Sequence, residues 1–308
     1  MTTIKLQSPA TVANMVCGFD ILGFCVNMPF DIMEVKLLNE KKVVINNPGS
    51  SLLPTEPHLN TAGASLLDML EELPDDTGFE VTIEKRIKPG SGLGSSAASA
   101  AGAVVAANHL LNNRFSKNDL VRFAMAGEKA ASGVKHADNV APVIYGGITL
   151  IRSIFPLDII SIPTPPLFVT IVHPQIEVRT VDARQILRKE VLLKDAIKQW
   201  GNIAGLVTGL IQSDYALIGR SLEDHIVEPL RSILIPEFKK IKEKCLDAGA
   251  LGGGISGSGP SIFMLSKDET TAREIEKIMT GTYASLSLDH RTYVTSINQN
   301  GCTILKQS

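Results

Sequence analysis

The chain has 308 residues, of which 44% are hydrophobic and 20% charged, with a net charge of −2 at neutral pH. The length predicts two domains, and the composition is that of a globular protein with a sizeable core. The nearly neutral charge excludes a general attraction to nucleic acid or to an anionic membrane, so any anion-binding site must be local.

The N-terminal stretch MTTIKLQSPA has neither the basic nor the apolar region of a secretory signal, and the four cysteines are scattered without a CxxC pair. We therefore expect a reduced, cytoplasmic protein without a zinc site. The first half then alternates short apolar runs with turn residues and amphipathic stretches. We predict strands at 2–8, 19–27, 31–38, 43–46, 79–87 and 148–151, and helices at 58–73, from Ser95 onward, and at 116–131 with Ser116 as N-cap.

The stretch 155–166 contains four prolines, which makes it the best candidate for a domain boundary. We therefore divide the chain into residues 1–164 and 165–308. The second part mixes strands and helices in α+β order. Strands are predicted at 167–173, 261–266 and 291–297, and helices within 180–222, at 236–248 and at 270–287.

The stretch KPGSGLGSSAASAA, starting at Lys88, predicts a glycine-rich loop that runs into a helix. A helix N-terminus offers free N–H groups and partial positive charge, so it can bind phosphate without the lysine that P-loop enzymes use. Gly90, Gly92 and Gly94 allow the backbone to curl around a ligand. The Ser95 and Ser96 hydroxyls could contact phosphate or Mg²⁺, and the alternative is an ordinary turn with Ser95 as N-cap.

Three segments in this order resemble the three motifs of the galactokinase, homoserine kinase, mevalonate kinase and phosphomevalonate kinase (GHMP) superfamily: SPATVANMVCGFD at 8–20, PGSGLGSSAA at 89–98 and GGGISGSGPS at 252–261. The resemblance covers essentially the whole chain and is closest to the homoserine kinases. Their first motif often reads PASSANLGPGFD, and HADNVAP at 136–142 is also typical of them. The first motif departs from that pattern at Val12, Met15, Val16 and Cys17.

The resemblance implies two α+β domains, the first like the second domain of ribosomal protein S5 and the second ferredoxin-like. It also implies that ATP binds with its phosphates at the start of the Ser95 helix. Asn60 would hydrogen-bond the adenine, although it could instead simply cap a helix. The residues implied to bind the phosphates are Pro89, Gly90, Ser91, Gly92, Leu93, Gly94, Ser95 and Ser96.

The resemblance makes Ser96 and Glu128 ligands of Mg²⁺, whereas a carboxylate paired with a neighbouring lysine is the alternative for Glu128. Asp138 would orient the acceptor, with a general-base role left open, and Thr180 would lie near the transferred phosphoryl group. Plain turn and N-cap roles are the alternatives for these two residues. The residues implied to bind the acceptor are Asn14, Asp20, Asn139, Arg184 and Arg231.

Two arginines suit an amino-acid acceptor because a guanidinium matches a carboxylate as a planar fork. The implied activity is therefore ATP-dependent phosphorylation of L-homoserine, a step of threonine biosynthesis. Another small alcohol such as mevalonate, or an inactive ATP-binding relative, is the alternative. The expected partners are small-molecule substrates, with no nucleic acid and no membrane, and a homodimer is left open.

Overall fold

The computed structural model describes residues 2–47, 53–178 and 180–307, without the side chains of Ser132, Thr180 and Val181. Two antiparallel-rich sheets with helices packed on them form an α+β architecture. Within the described part of the chain, no helix combines the length and the apolar character needed to cross a bilayer.

The first sheet has the order β11-β1-β2-β4-β3, and β5 and β6 extend it beside the start of β2. β2 is its longest strand and pairs with β1 on one side and with β5 and then β4 on the other. The β3–β4 pair is parallel, and the other pairs are antiparallel. The strands are β1 (Thr3–Ala13), β2 (Leu22–Leu38), β3 (Val43–Asn46), β4 (Gly78–Glu84), β5 (Ile148–Ile154), β6 (Leu157–Ile162) and β11 (Thr303–Gln307).

Four helices belong with this sheet: α1 (Thr61–Leu70), α2 (Ser95–Leu110), α3 (Lys117–Ser132) and α4 (Val140–Tyr145). The alanine-rich α2 is buried nearly all round, because its small side chains let it pack between the sheet and α1 and α3. Gly102 shows how close this packing is, since a Cβ there would lie 2.9 Å from the Ser8 hydroxyl. Ser116 caps α3 in a reciprocal capping box with Asp119, so the predicted N-cap is confirmed.

The second sheet has the antiparallel order β10-β7-β9-β8. Its strands are β7 (Phe168–Pro174), β8 (Gly252–Ile255), β9 (Ile262–Ser266) and β10 (His290–Ser296). The helices of this half are α5 (Thr180–Gln185), α6 (Leu193–Gln212), α7 (Tyr215–Ser221), α8 (Glu228–Arg231), α9 (Phe238–Asp247) and α10 (Glu269–Ser285). One apolar cluster joins the two halves, and the Phe24 and Phe263 rings meet in it edge to face at 5.7 Å.

Several predicted elements were wrong in extent. The two strands predicted at 19–27 and 31–38 are one strand, because β2 stays paired with β1 across the bulge between Pro9 and Thr11. The first strand, predicted to end at residue 8, continues to Ala13, so nearly half of the 8–20 motif is strand. The 58–73 helix is shorter, starting after the Asn60 cap and ending at Leu70.

The proline-rich stretch 155–166 contains strand β6, which forms a hairpin with β5. The glycine segment 252–261 begins as strand β8, which is not among the predicted strands. The sequence analysis did not predict β11, which returns from the C-terminal half to pair with β1. Residues 303–307 therefore lie in the first sheet, although the chain was divided at 164/165.

Candidate active site

The three motif segments, at 8–20, 89–98 and 252–261, are joined by hydrogen bonds to backbone carbonyls of the central one. In the first segment, the Thr11 N–H donates to the Leu93 carbonyl at 3.1 Å. In the third, the Ser256 hydroxyl donates to the Gly92 carbonyl at 2.7 Å and the Ser261 hydroxyl to the Ser91 carbonyl at 2.6 Å. The central loop is thus held from both sides, by the first sheet and by the second.

Positive φ angles and close packing make the glycines of the central loop necessary. Gly94 has φ +63°, and a Cβ there would overlap the Thr11 hydroxyl and lie 3.0 Å from Asn139 Oδ1. Gly92 has φ +78°, and its Cβ would lie 2.5 Å from the Ser256 carbonyl oxygen. Gly94 is also the N-cap of α2 and forms no side-chain cap, so the alternative role of Ser95 as N-cap was wrong. The first N–H groups of α2 therefore have no capping side chain from their own N-cap residue.

Gly94→Ala is expected to destabilise the protein by at least about 2 kcal/mol more than Gly90→Ala. Both glycines have positive φ, at +63° and +74°, so both substitutions cost about 1–2 kcal/mol in backbone strain. Only Gly94 would add a clash, because a Cβ at Gly90 has nothing within 4 Å. Chemical denaturation of both variants measures the difference. Equal losses of stability would contradict the tight contact between Gly94 and Thr11.

A buried ion pair lies behind the loop. Lys85 and Asp31 are in direct contact, and both side chains are almost fully buried. Lys85 Nζ also donates to the Ser95 carbonyl at 2.8 Å and to Ser99 Oγ at 3.1 Å. Asp31 Oδ1 accepts from the N–H groups of Arg86 and Ile87 at 2.8 and 2.9 Å. The pair therefore fixes the first turn of α2 to the end of β4.

Ser96 and Glu128 bring a hydroxyl and a carboxylate together where α2 begins. They lie on α2 and α3, and the Ser96 side chain hydrogen-bonds the Glu128 carboxyl group. Burial raises the pKa of Glu128 to about 7, and the Ser96 bond opposes that rise only in part. A cation bound beside this carboxylate would stabilise its ionised form. The alternative, in which the Glu128 carboxylate is half-exposed, is wrong, because Glu128 is buried.

Asp138 lies one residue before the N-cap of the short helix α4 and is buried. Burial raises the pKa of its carboxyl group to about 7, and the negative charges of Asp20 and Glu128 act in the same direction. Asn139 Oδ1 accepts a 2.6 Å hydrogen bond from the Thr11 hydroxyl, which holds the Asp138 loop against the first motif. A carboxyl group that titrates near neutral pH can accept or release a proton under working conditions.

Asp138→Asn is expected to stabilise the unliganded protein at pH 8 by about 2–4 kcal/mol, at 1.36 kcal/mol for each unit of pKa shift. The folded pKa of about 7 exceeds the ordinary aspartate pKa of 3.8, so the folded state binds more protons between these values. The stability from Asp138 is therefore lost as pH rises towards 7, and asparagine removes this loss. The advantage should shrink at pH 5, as measured by chemical denaturation.

The exposed Asp75 provides the matched control, because its side chain is 93% accessible and Asp75→Asn should change stability by less than about 0.5 kcal/mol at either pH. A loss of stability in Asp138→Asn that is equal at pH 8 and pH 5 would contradict the raised pKa.

Two arginines and one aspartate meet near the first motif. Arg184 Nη2 donates to both carboxylate oxygens of Asp20, at 2.8 and 3.0 Å. Arg184 and Arg231 lie over the Phe19 ring, 5.6 and 5.1 Å from its centroid. Burial and the charge of Arg184 lower the pKa of Arg231 to about 10. The guanidinium pair is thus only partly neutralised by Asp20, so an anionic group placed between them would be stabilised.

Other hydrogen bonds hold these residues in place. Arg231 is buried and donates to the carbonyls of Ala183 at 2.9 Å and Gly257 at 3.0 Å. The Asn14 amide donates to the same Gly257 carbonyl at 2.9 Å, and its oxygen accepts from the Asp20 N–H at 3.1 Å. The Asn14 side chain therefore links the first motif to the third.

Asn60 caps α1, because its Oδ1 accepts from the N–H groups of Ala62 and Gly63 at 3.0 and 3.2 Å. Its amide nitrogen donates to the Pro54 carbonyl at 2.8 Å. Asn60 lies in the wall of the cleft described next, but contact with an adenine would require one of these bonds to be shared or exchanged.

A single cleft of about 500 Å³ contains nearly all of the predicted site residues. Leu93 is not in its wall; it is 2% exposed and packs in the apolar cluster between the two halves. The side chain of Thr180 lies outside the described residues, and only its place at the start of α5 is known. The predicted residues in the wall are Asn14, Asp20, Asn60, Pro89, Gly90, Ser91, Gly92, Gly94, Ser95, Ser96, Glu128, Asp138, Asn139, Arg184 and Arg231.

The cleft also contains residues to which the sequence analysis assigned no role, among them Phe19, Lys85 and His136. His136 Nδ1 lies 3.4 Å from Arg184 Nη2 and 3.8 Å from Asp20 Oδ1. Burial and the charge of Arg184 lower the pKa of this imidazole and so favour its neutral form. Within the described part of the chain its buried Nε2 has no hydrogen-bond partner.

Comparisons with known proteins agree with this geometry. Residues 60–147 match the family of GHMP kinase N-terminal domains, and residues 206–285 match that of GHMP kinase C-terminal domains. The mevalonate kinase of L. major shares the fold, with a TM-score of 0.73 at 15% identity over 96% of each chain.

Proteins named homoserine kinase are much more similar. That of Chloroherpeton thalassium is 45% identical over 97% of this chain and 98% of its own. The crystal structure of homoserine kinase from Cytophaga hutchinsonii has a TM-score of 0.95 at 48% identity and covers 99% of this chain and 98% of its own. The chain therefore belongs to the GHMP kinases and, among them, to the homoserine kinase family.

Proposed function

We propose that this protein transfers the γ-phosphoryl group of ATP to the hydroxyl of L-homoserine and forms O-phospho-L-homoserine, a step of threonine biosynthesis. The observation that carries the proposal is the convergence of Arg184, Arg231 and Asp20 in the cleft that also contains the glycine-rich loop. Cationic and anionic side chains beside a phosphate loop suit an acceptor with both a carboxylate and an ammonium group. The names of the relatives support this choice of acceptor.

ATP would bind with its phosphates on residues 89–96, where the N–H groups at the start of α2 and its dipole favour anions. Lys85 would support this site from behind, since its Nζ is already bonded to Asp31 and to the Ser95 carbonyl. Asn60 would lie at the adenine end of the cleft. The site therefore uses backbone groups where P-loop enzymes use a lysine side chain.

Ser96 and Glu128 fit the chemistry of a Mg²⁺ site. Mg²⁺ prefers oxygen ligands and often takes only one or two from the protein, with water and substrate phosphates supplying the rest. Within the described residues there is no cluster of three or more His, Cys, Asp or Glu side chains that could hold a metal alone. A bound Mg²⁺ would supply positive charge to the phosphates and to the buried Glu128 carboxylate.

The acceptor would bind with its carboxylate between Arg184 and Arg231 and its ammonium near Asp20. Asn14 and Asn139 would hold the surrounding loops in register, and Asn14 could offer its amide to the polar groups of the acceptor. Asp138 would orient the hydroxyl towards the γ-phosphate and could take its proton, because its pKa of about 7 leaves it partly ionised at neutral pH. The loose transition state of phosphoryl transfer makes this positioning sufficient for much of the rate.

Further parts of the proposal concern Thr180, the two domains and the assembly of the protein. Thr180 would lie near the transferred phosphoryl group, at the start of α5. Residues 1–164 would form the ATP-binding domain and 165–308 the second domain, whose last strand, β11, pairs with β1 of the first. The protein would act in the cytoplasm as an assembly of two copies.

Identification of the product tests the proposal. The purified protein is incubated with ATP, Mg²⁺ and L-homoserine, and the reaction is followed by ³¹P NMR. We expect a phosphomonoester signal that coincides with authentic O-phospho-L-homoserine, together with ADP. ADP formed with inorganic phosphate alone would contradict transfer to the amino acid, and an absence of turnover would favour an inactive ATP-binding relative.

A further inference from the structure

The turn of the first motif has a strained backbone. Three successive residues, Asn14, Met15 and Val16, have φ angles of +72°, +39° and +65°. Asp20 follows with a φ of +60°. Positive φ is uncommon outside glycine and is costly for a β-branched residue such as Val16. Strain of this kind persists only where the surrounding structure holds it, and it is concentrated at functional sites. The contacts that hold this turn therefore bear on the acceptor site, because the turn carries Phe19 and Asp20.

A buried glutamine of α6 holds this turn from behind. Gln199 is 5% exposed, and its Nε2 donates to the Cys17 carbonyl at 2.7 Å and to Asp224 Oδ1 at 3.0 Å. Its Oε1 accepts from the His225 N–H at 3.0 Å. The reverse orientation of the amide would place its oxygen against a carbonyl and a carboxylate, so only the observed one satisfies every polar group. The Cys17 carbonyl, in the middle of the strained turn, is fixed by this bond.

Asp224 connects the same amide to the other side of the acceptor site. Its Oδ1 also accepts from the N–H groups of Ile226 and Val227, at 2.9 and 3.1 Å. Its Oδ2 accepts from the Glu228 N–H at 2.8 Å. These bonds fix the turn that leads into α8, the helix whose last residue is Arg231. The amide and the carboxylate therefore join the first-motif turn to the helix that carries Arg231.

We propose that Gln199 and Asp224 are positioning residues that set the distance between Asp20 and Arg231, and so select an acceptor with an ammonium group and a carboxylate on one carbon. Neither of the two side chains is among the described residues that line the cleft, so both act through the residues that they hold. This role rests on the proposed function, because the distance matters in this way only for an amino acid. The two charges of an α-amino acid have a fixed spacing, and a site that already holds its own charges at a matching distance binds it at a lower entropic cost.

Steady-state kinetics of Gln199→Met test the role of the amide. Methionine has nearly the same length but no donor, so the Cys17 carbonyl loses its bond while Asp224 keeps its three backbone partners. We expect the homoserine KM to rise at least roughly 10-fold and the ATP KM to change less than about 2-fold, because a buried acceptor left without a donor displaces the turn. Gln212→Met is the matched control on the same helix, since Gln212 is exposed and should leave both KM values unchanged. An unchanged homoserine KM in Gln199→Met, or an equal rise in both KM values, would overturn the proposal.

Asp224→Asn tests the other member of the pair. Asparagine keeps the shape but offers one acceptor oxygen in place of two, so a backbone N–H of the turn into α8 loses its partner. The homoserine KM should rise at least roughly 3-fold, with the ATP KM nearly unchanged. Asp75→Asn is the control, because the Asp75 side chain is 93% accessible. A homoserine KM equal to that of Asp75→Asn would contradict the role of Asp224.

Amide hydrogen exchange tests the positioning without an acceptor. The N–H groups of Gly18 and Asp20 are bonded to the Asn14 carbonyl and side chain, at 2.8 and 3.1 Å, so they report whether the turn is held. They should exchange slowly in the unliganded wild type and at least roughly 10-fold faster in Gln199→Met, with α10 unchanged. Fast exchange of this turn in the wild type would overturn the proposal, even if neither variant folds.

These readouts separate the positioning role from the proposed function. A wild type that does not phosphorylate homoserine would overturn the proposed function, whatever the exchange rates. An active wild type whose Gln199→Met variant exchanges the turn and uses homoserine as the wild type does would overturn the positioning role alone.

Discussion

Glu128→Gln is expected to lower kcat with homoserine at least about 100-fold, the size of effect seen when a group that stabilises transition-state charge is removed. Ser96 and Glu128 supply the oxygens proposed for Mg²⁺, and glutamine keeps the shape but loses the negative charge. ATP binding measured without metal should change little, because the phosphates are held by the backbone of the loop. Steady-state kinetics over a Mg²⁺ titration, with calorimetric ATP binding in chelator, measure both quantities.

Two controls separate this result from a loss of folding. Glu274→Gln lies on the exposed face of α10, paired with Lys277, and should keep full activity. The thermal midpoint of Glu128→Gln at pH 8 should equal or exceed that of the wild type, because the substitution removes a buried carboxyl whose pKa burial raises to about 7. Unchanged turnover at saturating Mg²⁺ would show that Glu128 has a structural role only.

Arg184→Leu and Arg231→Leu are each expected to lower kcat/KM for homoserine at least roughly 30-fold, since truncating one partner of a buried charged contact costs about 2–5 kcal/mol. ATP binding without homoserine should change little. Analogues that keep the hydroxyl and the ammonium group but lack the carboxylate, such as 3-aminopropan-1-ol, should be poor acceptors for the wild type and less sensitive to both substitutions. Weaker ATP binding with an unchanged homoserine KM would instead assign the arginines to the phosphates.

The two arginines need different controls. Arg188, which lies three residues after the end of α5, is exposed, so Arg188→Leu should leave the homoserine KM nearly unchanged. Arg231 is buried and bonded to the Ala183 and Gly257 carbonyls, so Arg231→Lys is made beside Arg231→Leu to keep a positive charge there. Folding is followed by circular dichroism. An equal rise of the homoserine KM in Arg188→Leu and in Arg184→Leu would contradict a specific role of Arg184 in binding the acceptor.

The glycine-rich loop of the cleft was predictable from the sequence, because glycine loops act through local backbone geometry, whereas most other predicted cleft residues were implied by the family resemblance. Gly92 and Gly94 have the positive φ angles expected of them. The sequence did not predict how the motifs are held together. Asn14 and Ser256 make contacts more than 150 residues away, and no local pattern indicates such partners.

The buried Lys85–Asp31 pair could have been found from the sequence. In the run FEVTIEK the core-facing positions are Phe79, Val81 and Ile83, and Lys85 is the next in phase. Asp31 is likewise in phase with the buried Met33 and Val35. Two opposite charges at core-facing positions of neighbouring strands indicate a pair. β11 gave no comparable signal, because most of its residues are exposed and its pairing with β1 spans the whole chain.

Initial rates of ADP release across a panel of acceptors test the central claim most directly. L-homoserine, mevalonate, threonine, serine and galactose are compared at equal concentration with saturating ATP and Mg²⁺. We expect homoserine to give the highest kcat/KM, with mevalonate and galactose near background, because only an amino acid places a carboxylate between Arg184 and Arg231 and an ammonium group near Asp20. A preference for mevalonate or galactose, or release of ADP that no acceptor increases, would contradict the account.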